Sequence, residues 1–423
     1  MNEAMQSKNH LVACPSCDLV LAETKPKNKT TVLCPRCGQI LHRSKRKSPE
    51  KTCALSLTGL LLFIPAMFTP LLTLGILGDV TRISLAASIY KLFVDLHFLV
   101  GTVVFFTAFA LPFFLLISLF TVSLSLLTHT EHPLFPHLFR YFVHLKEWAM
   151  TDVYLLGILI AIIKLIHSGS LTFNIGFFCF IGMVVVTLAA QSAVDHRLFW
   201  SCLETEESSR LHVPALFSTT AARHDKGYLV CHTCHKIFWQ LSPDQLTHCT
   251  RCGETLHKRK KDSLQRTWAL ICTAIILTVP ANVLPIMEVR YFGLPERSTI
   301  LDGILYFFKE GSYGIGMIIF IASILVPLFK ILGLLIILVS IHMRWHRGQK
   351  RKTAMYRFIS FIGRWSMLDV FVITLMCTLV QFGFLSNIEL APAAVYFTGV
   401  VMSTMVAAIT FDTRLVWDDT PAK

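Results

Sequence analysis

Eight of the 13 cysteines stand in four Cys-x-x-Cys pairs, and this spacing is typical of metal ligands. Sixteen residues separate the pairs Cys14/Cys17 and Cys34/Cys37, and 14 residues separate the pairs Cys231/Cys234 and Cys249/Cys252. A Cys-x-x-Cys turn points two thiolates at one place, and two such turns at this separation complete a tetrahedral four-sulfur shell for zinc. The spacing therefore predicts two structural zinc ribbons, each too small to fold without its metal.

Two other interpretations of the cysteine blocks stay open. Thiol redox chemistry or an iron–sulfur cluster also uses paired cysteines, although redox motifs occur singly and on a βαβ background, which this sequence lacks. Nearby histidines are alternative ligands, but with four cysteines in each block we interpret them as surface residues: His10, His232, His235, His248 and His257. A closed four-thiolate shell leaves no position for a substrate, so the predicted role of both ribbons is structural.

Polar residues inside apolar segments form the second candidate site. Lys330 lies deep in such a segment, where a charged ammonium is costly unless it faces a cavity or a partner. Ser323 lies about two helical turns earlier on the same face. Asp369 is the nearest acidic residue in the following segment, and Thr404 extends the cluster from the last one. We predict that these four residues form a polar site for a transported molecule.

Each of the charged residues also has a purely structural interpretation. Lys330 and Asp369 can form an ion pair that only holds helices together, and Asp369, like Asp152, can simply favour the N-terminal end of a helix. Lys164 lies near the end of its apolar segment, from which a lysine side chain can reach the headgroups. We retain Lys164 as a further candidate transport residue beside these alternatives.

The elements that must position these residues occur twice in the sequence. Trp148-Ala-Met-Thr-Asp152 returns as Trp365-Ser-Met-Leu-Asp369, and Asp195-His-Arg-Leu-Phe-Trp200 returns as Asp412-Thr-Arg-Leu-Val-Trp417. The prolines Pro65, Pro70 and Pro112 return as Pro280, Pro285 and Pro327. One module has therefore been duplicated. Leu115 occupies the position that matches Lys330, so the predicted polar site belongs to the second module.

Proline within a span removes a backbone donor and clashes with the carbonyl four residues earlier. We expect Pro112 and Pro327 to kink the second span of each module and to free the carbonyls of Ala108 and Ser323. The first span of each module is expected to break in the same way at its paired prolines, which are Pro65 and Pro70 or Pro280 and Pro285.

Composition places the chain in a membrane, because a hydrophobic content of 54% and a mean hydropathy of +0.59 exclude an ordinary soluble protein. Apolar segments predict eight spans, at 53–77, 99–127, 148–168, 173–193, 268–288, 314–341, 365–385 and 392–411. Four spans per module put both modules in the same orientation, as parallel repeats. Of the 39 Lys and Arg residues, 32 fall on the side of the cysteine blocks and five on the other, so ribbons and termini are expected in the cytoplasm.

The predicted fold class is an all-α integral membrane protein with a small β ribbon before each four-helix module. The expected boundaries are 1–45 for the first ribbon, 46–200 for the first module, 201–260 for the linker and second ribbon, 261–417 for the second module and 418–423 for the tail. No motif of a hydrolase, a nucleotide-binding loop or a dinucleotide fold is present, so we do not expect an enzyme. The basic clusters precede spans and indicate contact with anionic lipid rather than nucleic acid.

Four motifs together with the paired ribbons resemble the paraquat-inducible protein A family. They are Val279-Pro-Ala-Asn-Val-Leu-Pro-Ile286, Ile321-Ala-Ser-Ile-Leu-Val-Pro327, Gly363-Arg-Trp-Ser-Met-Leu-Asp-Val-Phe371 and Asp412-Thr-Arg-Leu-Val-Trp417. The resemblance implies an inner-membrane protein of Gram-negative bacteria that passes phospholipids or similar amphiphiles to a periplasmic tunnel formed by an MCE-domain protein. It also implies a tetraspanin-like helix order.

The same resemblance implies roles for individual residues. The family's intramembrane polar positions fall on Lys330, Asp369 and Thr404, with Lys164 in the first module, and its two zinc sites fall on the eight paired cysteines. Cys231-His-Thr-Cys234 departs from the family pattern because no proline follows the first cysteine, a change expected to leave metal binding intact.

Three functions are compatible with the sequence. The first is a lipid transporter in which Lys330 meets a phosphate headgroup or takes part in proton coupling. The second is a scaffold that only anchors the periplasmic partner through the outer loops 78–98 and 289–313. The third is a membrane thiol-redox protein. A cavity that reaches Lys330 and opens toward the outer leaflet favours transport, and a dry, sealed bundle favours a scaffold.

Overall fold

The protein is mostly helical. The computed structural model describes residues 11–22, 31–43, 45, 47–76, 79–95, 97–165, 170–204, 228–239, 247–291, 294–309, 311, 313–345, 347–379 and 386–418. Within these ranges seven helices are long and apolar enough to cross a membrane: Ser48–Phe68, Phe98–Thr128, Ile175–Ala193, Ser263–Val283, Gly316–His342, Gln349–Thr378 and Ala393–Thr410. The predicted span 148–168 corresponds to the shorter helix Thr151–Leu165.

The first half of the described chain, up to residue 204, contains eight α-helices. They are α1 (Ser48–Phe68), α2 (Leu85–Val94), α3 (Phe98–Val104), α4 (Leu111–Thr128), α5 (Leu134–Leu145), α6 (Thr151–Leu165), α7 (Ile175–Ala193) and α8 (His196–Cys202). Strands β1 (Leu11–Ala13), β2 (Val20–Ala22), β3 (Thr31–Leu33) and β4 (Ile40–Arg43) form the first ribbon, as two antiparallel hairpins. Strands β5 (Leu72–Ile76), β6 (Asp79–Ile83) and β7 (Ser170–Phe173) complete this half.

The second half, from residue 228, repeats this order. Its helices are α9 (Ser263–Val283), α10 (Ile300–Lys309), α11 (Tyr313–Phe320), α12 (Val326–His342), α13 (Gln349–Gly363), α14 (Leu368–Leu379) and α15 (Ala393–Thr410). Its strands are β8 (Tyr228–Val230), β9 (Ile237–Trp239), β10 (Met287–Tyr291), β11 (Leu294–Ser298) and β12 (Ser386–Leu390). The turns Arg364–Met367 and Thr413–Trp417 are 3₁₀-helical.

A three-stranded antiparallel sheet caps each half at the end away from the ribbons. The orders are β6-β5-β7 and β11-β10-β12, with Leu72 opposite Ile83 and Met287 opposite Ser298. We call this end the sheet side and the opposite end the ribbon side. The all-α prediction did not include these sheets. The predicted spans 53–77 and 268–288 correspond to α1 and α9 but extend too far, because both helices end before these strands begin. An apolar run alone does not distinguish a helix from a strand.

The prolines of the second span lie beside π-helical turns. Residues 105–110 and 321–325 form these turns, in which Leu111 N–H bonds to the carbonyl of Phe106 and Val326 N–H to that of Ile321. A π-turn widens the helix locally, so it accommodates a following proline. Ala108 and Ser323 lie inside the two turns. Pro70 and Pro285 follow the first span instead of breaking it, contrary to prediction, because α1 and α9 have already ended.

A serine hydroxyl ties the first long helix of each half to the last one. Ser48 donates to the carbonyl of Ala193 at 2.6 Å and accepts from Asp195 N–H at 2.9 Å. Ser263 makes the matching bonds to Thr410 and Asp412, both at 2.9 Å. Each hydroxyl therefore satisfies two backbone groups at the end of another helix.

Replacing Ser48 by alanine should destabilise the protein by about 1–3 kcal/mol, because two buried backbone groups would lose their partner. Thermal unfolding in detergent measures this as a lower midpoint. Ser56→Ala is the matched control, since among the described residues that buried hydroxyl bonds to Cys53 in its own helix and to no other helix. Equal midpoints for the two variants would contradict a role for Ser48 between helices.

The two halves meet through α6 and α14. The rings of Tyr154 and Phe371 lie 5.1 Å apart at an interplanar angle of 70°, which is a favourable edge-to-face arrangement. A Cβ atom at Gly157 would lie 3.1 Å from the Cβ of Phe371. The absence of a side chain at Gly157 therefore allows the close approach of the two helices.

Candidate functional site

The eight paired cysteines form two clusters, each able to hold one metal ion. Within each cluster all four sulfur atoms lie within 4.8 Å of one another and all four residues are buried. Sulfur–sulfur distances across the pairs are 3.5 Å for Cys14–Cys37 and Cys17–Cys34, 3.4 Å for Cys231–Cys252 and 3.5 Å for Cys234–Cys249. A tetrahedral shell with Zn–S bonds of about 2.3 Å has sulfur–sulfur edges of about 3.8 Å. The clusters are therefore compatible with zinc.

The backbone of each Cys-x-x-Cys turn is shaped by the residue that follows it. That residue adopts a positive φ in all four turns: Asp18 (58°), Gly38 (73°), His235 (56°) and Gly253 (70°). Its N–H bonds to the first cysteine's carbonyl, at 2.9 Å for Asp18 and 3.1 Å for His235. Thus Cys231-His-Thr-Cys234 forms the same turn without a proline. Among the described residues the metal-capable clusters contain no histidine, and His10 lies outside them.

The first ribbon docks on the second half of the chain. Arg357 of α13 donates to the carbonyl of Cys37 at 2.8 Å and to the side chain of Gln39 at 3.3 Å. The guanidinium of Arg36 lies 4.6 Å from the ring centre of Trp417. These contacts join residues more than 300 positions apart.

The second ribbon docks on the first half. Arg140 of α5 donates to the carbonyl of Cys252 at 3.3 Å, and His144 lies 3.2 Å from Glu254. Glu204, just after α8, pairs with Lys236 at 2.5 Å and with Arg251. Burial raises the pKa of Glu204, but the bonds from these two cations outweigh it and the net pKa is lowered. The two ribbons are therefore crossed, each one packed on the half that it does not precede.

Arg414 connects both ribbons to the end of the last helix. Its guanidinium pairs with Asp412 at 3.1 Å and lies 3.7 Å from Asp18 of the first ribbon. In the second ribbon, Nε2 of His232 lies 3.1 Å from the carbonyl of His257, and Nη2 of Arg414 lies 2.8 Å from Nδ1 and 2.9 Å from Nε2 of the same ring. Burial, followed by the charge of Arg414, lowers the pKa of His232 to about 4, consistent with a neutral ring.

Lys330 lies in α12 with 1% of its surface exposed. Its ammonium is 3.5 Å from the carbonyl of Gly363, where α13 ends. No ion pair between Lys330 and Asp369 is found within the described residues. A buried ammonium with one long hydrogen bond is costly unless water or a ligand reaches it.

The other predicted transport residues occupy different surroundings. Thr404 in α15 is fully buried and its hydroxyl bonds to the carbonyl of Val401 at 2.9 Å. Ser323 bonds to Ile319 at 2.7 Å within its own π-turn region, and Asp369 is buried in the first turn of α14. Lys164 lies in α6, and its side chain is outside the part of the structure described.

A cavity of about 460 Å³ lies between the two halves on the ribbon side. Lys330 and Thr404 line it, whereas Ser323 and Asp369 are not among the described residues that do. The first half contributes polar side chains from the loop before α6 and from the region at the end of α7: Lys146, Glu147, Gln191, Ser192 and His196. The transport hypothesis expects an opening toward the sheet side. The cavity instead lies at the ribbon end of the helices, contrary to that expectation.

Sequence reasoning missed most of the cavity lining. Glu147 and Arg364 precede the matching tryptophans Trp148 and Trp365, and this pattern alone indicates interfacial anchors. The signal that was available is that a charged residue, Glu147 or Arg364, stands at the matching position of each half, beside the third span. Helices that pack there bring both positions to one inter-half cavity.

Comparisons with known proteins agree with these features. The model of the family described as "Paraquat-inducible protein A" matches residues 50–204 and again residues 264–420. The chain is 32% identical over 406 residues to "Lipophilic envelope-spanning tunnel protein A" of Escherichia coli (strain K12), covering 96% of this chain and 90% of the relative. It is 32% identical over 425 residues to "Intermembrane transport protein PqiA" of the same strain, covering 100% and 98%.

A third relative, the "Probable intermembrane transport protein" of Haemophilus influenzae, is 30% identical over 371 residues, covering 86% of this chain and 85% of the relative. No solved structure matches the chain. Because the family model matches both halves and the relatives match along nearly their whole length, the chain belongs to the paraquat-inducible protein A family.

Proposed function

We propose that this multi-pass membrane protein is the inner-membrane component of an intermembrane lipid transport system. The observation that carries the proposal is the cavity between the two halves, into which Lys330 presents a buried ammonium. A cation that lines a cavity inside a membrane protein is the arrangement expected for a site that accepts an anionic group. The names of the relatives, which refer to intermembrane transport and to an envelope-spanning tunnel, support the same function.

The proposed architecture has eight spans in two parallel modules. Residues 1–45 form the first ribbon, 46–200 the first module, 201–260 the linker and second ribbon, 261–417 the second module and 418–423 the tail. Helix α6, about 22 Å long at 1.5 Å per residue, is one of the shorter helices among the proposed spans. It packs against α14 and α7, so it need not match the full bilayer thickness by itself.

Both ribbons lie in the cytoplasm in this proposal, and each holds one structural zinc. The excess of Lys and Arg on the ribbon side is the charge distribution of a cytoplasmic face. Zinc bound by four thiolates has no open position, so it would stabilise the ribbons and take no part in the chemistry of a substrate.

The sheet side would face the periplasm and deliver lipid to an MCE-domain partner. The two three-stranded sheets stand at that end of the spans. In the second sheet, Arg290 pairs with Glu288 at 3.3 Å and with Glu389 at 3.1 Å, which joins strands β10 and β12. A pure scaffold needs no buried cation at a cavity, so Lys330 at the cavity supports transport, although the cavity lies at the ribbon end and not at the outer-leaflet end that the transport hypothesis expects.

The experiment that tests the function is the change Lys330→Met. Loss of a buried charged contact should lower phospholipid transfer at least about tenfold, because hydrogen bonds to charged groups contribute about 1.5–3 kcal/mol. Transfer of labelled phospholipid out of proteoliposomes, and rescue of growth in cells that lack the chain, measure this effect.

Lys350→Met is the matched control for this change, because Lys350 is an exposed lysine in the first turn of α13. It should transfer lipid like the unchanged protein. Normal transfer by Lys330→Met at normal membrane levels would remove Lys330 from the transport site.

A further inference from the structure

Two cations from different halves of the chain line the ribbon side of the inter-half cavity. Lys146 follows α5 of the first half, and Arg364 follows α13 of the second. The pKa of Lys146 is lowered chiefly by burial; the charge of Glu147 raises it, and the smaller effect of the charge of Arg364 lowers it. Both cations border one cavity, so their positive charges add in attracting an anion that enters it.

The carboxylates nearby offset only part of the positive charge of the cavity lining. Glu147 is the one carboxylate among the described lining residues, against the three cations Lys146, Lys330 and Arg364. Asp152 reaches Arg364 only at 4.0 Å, with both side chains about one-third exposed. The cavity therefore has an excess of positive charge.

His196 lies in the same electropositive part of the cavity lining. Burial, followed by the charges of Lys146 and Lys45, lowers the pKa of His196 to about 3. Its ring is therefore neutral at pH 7 and can exchange hydrogen bonds with a ligand without adding charge.

The size and the apolar lining of the cavity limit what can enter. Ligand pockets in proteins have volumes of about 300–1,000 Å³, and 460 Å³ falls in the lower part of that range. Leu188, Met405 and Ile409 provide apolar surface beside the cations. This combination fits a phosphate ester with the first carbons attached to it, while long acyl chains would lie outside, against the helices.

We infer that Arg364 and Lys146 bind the phosphodiester group of a lipid that enters the cavity from the leaflet on the ribbon side. The inference rests on the proposed transport function and gives it a loading site at the end opposite the sheets. Arg364 offers a planar pair of donors that matches two phosphate oxygens, and Lys146 adds a second cation from the other half. One phosphate would then be held by both halves at once.

Binding to the purified full chain in detergent tests the inference. Isothermal titration with dihexanoyl phosphatidylglycerol should show binding that weakens as salt is raised, because the contacts are charge-assisted. Arg364→Gln and Lys146→Gln should each weaken it about tenfold or more. Arg351→Gln, an exposed arginine of α13 outside the cavity lining, should leave it unchanged.

A parallel titration with inorganic phosphate identifies the source of the anion. Phosphate that binds only weakly and does not displace the lipid supports a lipid headgroup. Phosphate that binds as tightly as the lipid, and is weakened by the same two changes, overturns the lipid assignment in favour of a free anion.

The loading site and the proposed function can fail separately. Unchanged lipid affinity in Arg364→Gln and Lys146→Gln would overturn the loading site, even where Lys330→Met abolishes transfer. Conversely, normal transfer by Lys330→Met together with tenfold weaker lipid binding in Arg364→Gln would reject the role of Lys330 and retain the loading site.

Discussion

With one zinc in each cluster, as proposed, replacing Cys37 by serine is expected to lower the zinc content from two ions to one per chain and to unfold the first ribbon. A structural zinc contributes about 10–16 kcal/mol to the folding of a peptide that cannot build its own core, so no other contact of this ribbon can compensate for its loss. Zinc measured by mass spectrometry on the purified protein gives the count. Cys202→Ser is the control, because Cys202 is exposed and belongs to neither cluster.

Because the ribbons are crossed, the damage from Cys37→Ser should appear in the second half. Arg357 would lose the carbonyl of Cys37, and Trp417 would lose the guanidinium of Arg36. Amide hydrogen exchange should therefore rise in α13 and in Thr413–Trp417, while α5 of the first half, which holds the other ribbon, stays protected. Faster exchange confined to α5 would contradict the crossed arrangement.

The metal clusters could be predicted from the sequence because their signal is local. Two cysteines three positions apart already define half of a metal shell, and the spacing of two such pairs defines the rest. The missing proline in Cys231-His-Thr-Cys234 had no effect on the turn, because His235 adopts the same left-handed backbone as Asp18.

The first sheet was not predicted because its central strand, β5, continues the apolar run of α1. Leu72–Ile76 follows α1 after only three residues, so composition favours one long span over a helix and a strand. The proline Pro70 was available as a stop signal, but it was interpreted as a kink. A proline just after a helix and a proline inside it look alike without knowledge of the helix end.

The crossing of the ribbons and the cavity depend on contacts that no local pattern encodes. Arg357 and Cys37 are bonded across 320 positions, and neither residue type nor spacing indicates that pairing. Lys330 was found because a lone cation in an apolar segment is unusual. Lys146 and Arg364 were not predicted as site residues, because basic residues at the ends of spans are common and usually contact lipid headgroups.

Replacing Arg414 by methionine should destabilise the protein by about 3–5 kcal/mol, because Asp412 would be left as a buried carboxylate without its cation. His232 and Asp18 would lose their link to the last helix in the same change. The midpoint of thermal unfolding in detergent measures the loss. The equivalent residue of the first half is Arg197, and Arg197→Met should cost less, because that side chain is half-buried and Arg414 is buried.

The pH dependence of stability tests the ion pair between Asp412 and Arg414 directly. Burial raises the pKa of Asp412, but the bonds from Arg414 outweigh it and lower the pKa to about 2, below the ordinary value of 3.8. The pair therefore stabilises the native protein above about pH 3.8 and loses this contribution as the pH falls toward 2. In Arg414→Met, burial should raise the pKa of Asp412 above 3.8, so Asp412 becomes neutral as the pH falls toward 4 and its burial is no longer costly. The difference in unfolding midpoint between Arg414→Met and the unchanged protein should therefore shrink from pH 7 to pH 4.

A second variant separates the charge from the packing of the arginine stem. Asp412→Asn combined with Arg414→Met removes both charges and retains an oxygen to accept from the N–H of residue 414, so it should regain part of the stability that Arg414→Met alone loses. A double variant less stable than Arg414→Met would show that Asp412 acts through something other than the ion pair. In that case packing, and not the ion pair, would hold the ribbons to the end of α15, and the pH dependence of the midpoint difference should be absent.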